Sequence, residues 1–224
     1  MKGSVVQTLI LADLYRHRMF ILYTIVSGGL ALVLLQSGGE VRFILGATLF
    51  FTGLIVFGCL LPSSNIINEG KKQTQPFLMS LPISVVQYAA AKIISTVGMF
   101  LVPWLTLILA AVLYIAGSEP FPDGSIPVVL ALAGLILVGF CLITGVSIVS
   151  EAEGPMVASM IAANSSYGFG WYLMIRNPVI RDGMKSPEIV WNREILTVLG
   201  IEFAVIVLIL GLTFLLQSRK RDFV

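Results

Sequence analysis

Glu202 stands in "ILTVLGIEFAVIVLIL", a carboxylate seven residues into an apolar run. A carboxylate in lipid is expensive, so it should face protein or water. Three arrangements satisfy that: it lines a polar path, it pairs with Arg193 or Arg176, or it sits at the interface because the run begins later. A second apolar run, "MVASMIAANSSYGFGWYLM", is interrupted by Asn164, Ser165, Ser166 and Tyr167. Cavity lining and helix packing both account for these, and the small pairs Ala158/Ala162 or Ser159/Ala163 would let helices approach closely. The one histidine, His17, lies in the basic cluster "YRHR" and is expected at lipid headgroups rather than in catalysis. There is no G-x-x-x-x-G-K-[ST], so the chain cannot cradle nucleotide phosphates as a P-loop does. No H-E-x-x-H or G-x-S-x-G occurs either, which disfavours an intramembrane enzyme. Cys59 and Cys141 fall in apolar runs and read as small core residues, not as a disulfide framework or metal site. No cofactor is expected on this chain.

The elements that must position these residues are membrane spans. The 224 residues are 57% hydrophobic and 12% charged, with a mean hydropathy of +0.97. That is the composition of an integral membrane protein. The opening residues carry Asp13 and the basic cluster and do not read as a cleavable signal peptide. A helix needs about 20 apolar residues to cross the hydrocarbon, and six segments qualify: 19–36, 41–61, 89–116, 127–150, 156–175 and 195–217. Spans 1 and 2 join through "SGGE", spans 3 and 4 through "GSEPFPDGSIP", spans 4 and 5 through "EAEGP". The net charge of +2 gives no reason to expect nucleic acid.

Six spans put both termini on one side. With the termini inside, the inner face holds Lys2, Arg16, Arg18, Lys71, Lys72, Lys92, Arg219, Lys220 and Arg221, the majority of the 14 Lys and Arg. The outer face holds Arg42, Arg176, Arg181, Lys185 and Arg193. The positive-inside rule therefore predicts cytoplasmic termini. Val5, Val6, Leu9, Ile10 and Leu14 recur at helical spacing opposite Gln7, Thr8 and Asp13. This predicts an amphipathic helix in the inner interface, or else an extension of span 1 itself. The outer segment 176–194 is polar enough to predict a surface helix. Trp104, Trp171 and Trp191 are expected at interfaces, and Pro103 to kink span 3.

The cytoplasmic insert 62–88 has its own grammar. Pro62 and the serines of "LPSSN" end span 2. Thr74 can cap a short helix with Pro76 in its first turn, and Pro82 ends it. Phe77, Leu78 and Leu81 form one apolar face of that helix. It is either a docking piece or a re-entry loop resting on lipid. Ser84 and Gln87 make a capping box for the next helix. That helix, from Val85 to Ala116, would be about 48 Å long against a core of about 30 Å. Lys92, about 12 Å along it, is placed to snorkel.

Glu69, then "TQPFLMSLPIS", then "QYAAAK" resembles the coupling-helix region of type 2 ATP-binding-cassette (ABC) exporter permeases. The matching positions are Glu69, Ser80, Leu81, Pro82, Ile83, Ser84, Tyr88 and Lys92. At residue level the likeness covers this region; in topology it covers the chain. It implies a crosswise helix at 71–84, with Glu69, Thr74, Phe77, Leu78, Ser80, Leu81 and Pro82 as its ATPase-coupling residues. That helix would dock in a groove of a separate ATPase, present in two copies and holding the ATP and magnesium. It also implies a second permease subunit, identical or not. The haem-exporter permeases share this length and topology, but no haem-handling signature favours them here.

The expectation is thus an all-α polytopic protein of the bacterial cytoplasmic membrane, one permease domain over 1–224, with six transmembrane helices. An N-terminal amphipathic helix and a cytoplasmic coupling helix complete it. It would act as the non-enzymatic subunit of an ATP-driven exporter, with Asn164, Ser165 and Glu202 on the translocation path. A membrane scaffold or assembly subunit and a secondary carrier are the other readings.

Overall fold

The computed structural model describes residues 2–36, 40–67, 85–117 and 121–219. All ordered elements among them are helical: α1 (Lys2–Gln36), α2 (Glu40–Pro62), a π-helical turn (Ser63–Ile67), α3 (Val85–Ala116), a 3-10 turn (Asp123–Ser125), α4 (Ile126–Ser150), α5 (Glu153–Arg176), α6 (Pro178–Gly183) and α7 (Arg193–Arg219). Among the described residues five helices are long and apolar enough to cross a membrane: α1, α2, α3, α4 and α7. The chain is accordingly a multi-pass helical membrane protein. Their outward faces carry exposed Leu105, Leu109, Leu113, Val207, Leu208 and Leu212, the surface that lipid covers.

The expected fifth span, 156–175, is the helix α5, but it is less apolar than the others because Asn164, Ser165 and Ser166 interrupt it. Its 24 residues still extend about 36 Å. It runs antiparallel along α4, since Met156 packs with Ile143 at one end and Met174 with Val128 and Ala131 at the other.

Local signals explain the breaks. Glu151, in the left-handed conformation at φ 51°, closes α4 through its N–H to the Ser147 carbonyl. Pro178 opens α6, and Asn177 Oδ1 accepts the Val179 N–H at 3.0 Å. Asn192 Oδ1 likewise accepts the Ile195 N–H at 2.9 Å at the start of α7. Within 176–194 lies the short helix α6, held by the buried Ile180 against Val128, Ala131 and Ile195.

The helices form two groups. In one, α1 packs on α2 and α3; in the other, α4 packs on α5 and α7. The central seam between them is aromatic. Phe100 of α3 stacks on Phe140 of α4 with centroids 3.9 Å apart and planes at 9°, and Phe57 of α2 stacks on Phe100 at 5.9 Å. Trp104, expected at an interface, instead joins the groups by donating from Nε1 to the Ala133 carbonyl at 3.0 Å. Its position midway along α3 sets that depth.

Two other expectations change. Helix α1 is unbroken from Lys2 to Gln36, so the first residues extend span 1 and no separate helix turns along the interface. Gln7 and Thr8 are exposed and Leu9 and Ile10 half-buried as the amphipathic pattern requires, but Asp13 and His17 face the bundle while Leu14 is exposed. The helical path of α2 also does not stop at Pro62 but continues as the π turn to Ile67. A π turn tolerates the missing proline N–H by widening the hydrogen-bond ladder.

Candidate functional site

Where the π turn after α2 meets α1 and α3, a buried polar cluster forms. The 68–84 insert leaves from the π turn at Ile67 and rejoins at Val85, so its two roots flank the cluster. Asp13 of α1 and Lys92 of α3 lie within it, each 4% exposed. Lys92 Nζ donates to Asp13 Oδ2 at 2.9 Å, and Ser95 Oγ donates to the same oxygen at 3.0 Å. Lys92 Nζ also donates to Asn65 Oδ1 at 3.3 Å. Asn65, on the π turn, is wholly buried and donates through Nδ2 to Thr96 Oγ1 at 2.8 Å. A buried ammonium is tolerated only when paired and hydrogen-bonded, and here α1 and the π turn supply partners.

His17, one turn beyond Asp13, is buried at 3% exposure. Its Nδ1 lies 3.0 Å from the Asp13 carbonyl. A carbonyl only accepts, so Nδ1 carries a proton. Its Nε2 lies 3.2 Å from Ser64 Oγ, which also lies 3.1 Å from the Leu61 carbonyl. His17 thus ties α1 to the π turn and is not an exposed headgroup contact. The reason is rotational: Asp13 and His17, four apart, share the inward face of α1.

Lys92 does not snorkel, because Asp13 and Asn65 offer it nearer partners inside the bundle. Sequence reasoning missed this cluster. One signal was available: Lys92, Ser95 and Thr96 stand at i, i+3 and i+4, a polar stripe on an otherwise apolar helix, and such stripes face protein.

The expected coupling residues Glu69, Thr74, Phe77, Leu78, Ser80, Leu81 and Pro82 lie outside the described residues, as do Ile83 and Ser84. The expected path residues are not brought together. Asn164 and Ser165 are exposed on α5, and Asn164 Nδ2 donates to the Met160 carbonyl at 2.9 Å. Of the two small pairs on α5, Ser159 and Ala163 are buried while Ala158 and Ala162 face outward.

Glu202 lies on the buried face of α7, 7% exposed, against α4 at Gly134. A Cβ at Gly134 would sit 2.1 Å from Glu202 Oε2. The carboxylate is thus packed against protein, and neither Arg193 nor Arg176 pairs with it. Arg176 instead donates to the Tyr172 hydroxyl. Glu202 lines a groove of about 560 Å³ between α5 and α7, which neither Asn164 nor Ser165 enters. Cys59 and Cys141 are free thiols, Cys141 buried, in keeping with small packing residues. No family model, curated protein or solved structure matches the chain.

Proposed function

We propose that the chain is the membrane-spanning permease subunit of an ATP-driven ABC exporter. The observation that carries the reading is the anchoring of both roots of the 68–84 insert. Asn65, two residues before the end of the π turn, and Lys92, seven residues into α3, are hydrogen-bonded to each other and tied through Asp13 to α1. An insert mounted on such a base transmits a push to three helices at once instead of absorbing it. The sequence of the insert, with its apolar Phe77, Leu78 and Leu81 between prolines, suits docking in a groove of a soluble ATPase.

On this reading α5 is a sixth span, supported by its antiparallel course along α4. The start of α1 and the end of α7 lie at the insert end: Asp13 meets Lys92 there, and Thr213 lies against Gly145 near the end of α4. The positive-inside rule makes that end cytoplasmic. Two permease subunits surround a path, two ATPase subunits dock beneath with ATP and magnesium, and their closure rocks the two helix groups against each other. The exposed Asn164 and Ser165 then face the second subunit rather than lipid, which polar side chains avoid.

The test is affinity purification of the tagged chain from its host's membranes. A P-loop ATPase should co-purify with the wild-type chain and be lost with Phe77→Asp or Leu81→Asp, while the variants still insert. A charge on that face enters an apolar groove unpaired. Purification without any ATPase, or retention of the ATPase by both variants, would overturn the reading and favour a scaffold subunit.

A further inference from the structure

We infer that the groove between α5 and α7 is a binding site for a hydrophobic cation, with Glu202 as its counter-ion. Glu202 is more than nine-tenths buried and lines the groove, while its Oε2, sealed against Gly134 of α4, has no hydrogen-bond partner. An unsatisfied carboxylate oxygen among apolar side chains is costly, yet α4 makes room for it. Gly134 stands opposite, where any side chain would collide with Oε2. No basic side chain among the described residues pairs with Glu202. Arg193 lines the same groove nine residues earlier on α7, about 14 Å away along the helix, which places it toward the far end rather than at the carboxylate.

The rest of the wall sets the remaining chemistry of the ligand. Leu135, Leu173, Met174 and Ile201 line the groove around Glu202, and Asn177, Glu194 and Thr197 join Arg193 along the rest of it. Its volume of about 560 Å³ falls in the range of small-molecule sites, roughly 300–1,000 Å³. A neutral ligand would fill the apolar part and leave the carboxylate as it is. An anion would be repelled. A cation with an apolar body satisfies both parts, and it reaches the site from the bilayer, where such compounds accumulate. The site is complete within one chain and does not depend on coupling to an ATPase.

The probes are tetraphenylphosphonium and tetraphenylborate, equal in shape and opposite in charge, titrated against the purified full chain in detergent micelles. The phosphonium should bind saturably and the borate should not. Glu202→Gln, nearly isosteric, should weaken phosphonium binding about thirtyfold or more, as loss of one partner of a buried charge pair does. Gly170→Leu, which adds bulk to the groove wall and displaces Leu135 without touching the charge, should also weaken it, with the thermal unfolding of both variants checked against the wild type. Phe77→Asp should leave binding unchanged, which separates this site from the ATPase reading. Equal phosphonium binding by the wild type and Glu202→Gln, or equal binding of the two ions, or only unsaturable partition into micelles, would overturn the proposal.

Discussion

Lys92 Nζ lies 2.9 Å from Asp13 Oδ2, with the two side chains 5% and 6% exposed. This ion pair links two membrane helices far apart in the chain, and it has an unequal energetic profile. Removing one partner leaves a charge stranded in the bundle, at a cost of about 3 kcal/mol or more. Removing both leaves no stranded charge, though Ser95 and Asn65 each lose a hydrogen-bond partner. Asp13→Ala should therefore lower the unfolding temperature in detergent sharply, and Asp13→Leu combined with Lys92→Met should recover most of the loss. Equal destabilisation by the single and double variants would mean that the two charges do not compensate each other.

The orientation can be read by thiol labelling. In a background with Cys59 and Cys141 replaced by serine, Gln73→Cys should react with an impermeant maleimide only after the cell is opened. Ser186→Cys should react in intact cells. The contrary pattern would invert the topology inferred from the placement of Lys and Arg.

At the end of the bundle away from the insert, Gly124 is a point of backbone contact. Its N–H donates to the Ser186 carbonyl at 3.0 Å, and an added Cβ would lie 2.1 Å from the Gly183 carbonyl oxygen. Backbone cannot swing aside as a side chain does. Gly124→Ala should thus push the 183–192 segment off the start of α4, at a cost of about 1–3 kcal/mol. Limited proteolysis should show faster cleavage in that segment with the helices intact; an unchanged cleavage pattern would show that the contact is not what holds it.

Apolar run length told where the helices lie, because bilayer thickness imposes it. It located each long helix to within a few residues at most ends, and flanking Pro, Gly and Asn located the breaks. The exception was α1, whose first 16 residues are patterned like an interfacial helix. In a membrane bundle a single polar residue such as Asp13 can turn inward, and only its partner at Lys92 shows that it does. That partner lies 79 positions away in sequence, a separation no local signal spans. Glu202 was legible as a residue that must avoid lipid. What it faces was not legible, because Gly134 has no side chain whose chemistry could announce the match.

The two helix groups meet at Phe57, Phe100 and Phe140, which are 4%, 0% and 1% exposed. Lipid chains are as apolar as these rings, so no hydrophobic driving force holds the groups together. What remains is packing: ring against ring at 3.9 Å between Phe100 and Phe140. Phe140→Ala should lose those contacts and open a cavity, costing about 2–4 kcal/mol. Phe100→Ala should cost a similar amount and also release Phe57. If stacking itself joins the groups, the double variant should be less harmful than the sum, with a coupling of about 1 kcal/mol. Unfolding free energies in mixed micelles would give all four corners of the cycle. Strictly additive costs would mean that each ring merely fills space in its own group, and the seam about which the groups are proposed to rock would have to lie elsewhere, with Trp104 and the Ala133 carbonyl the next contact to break.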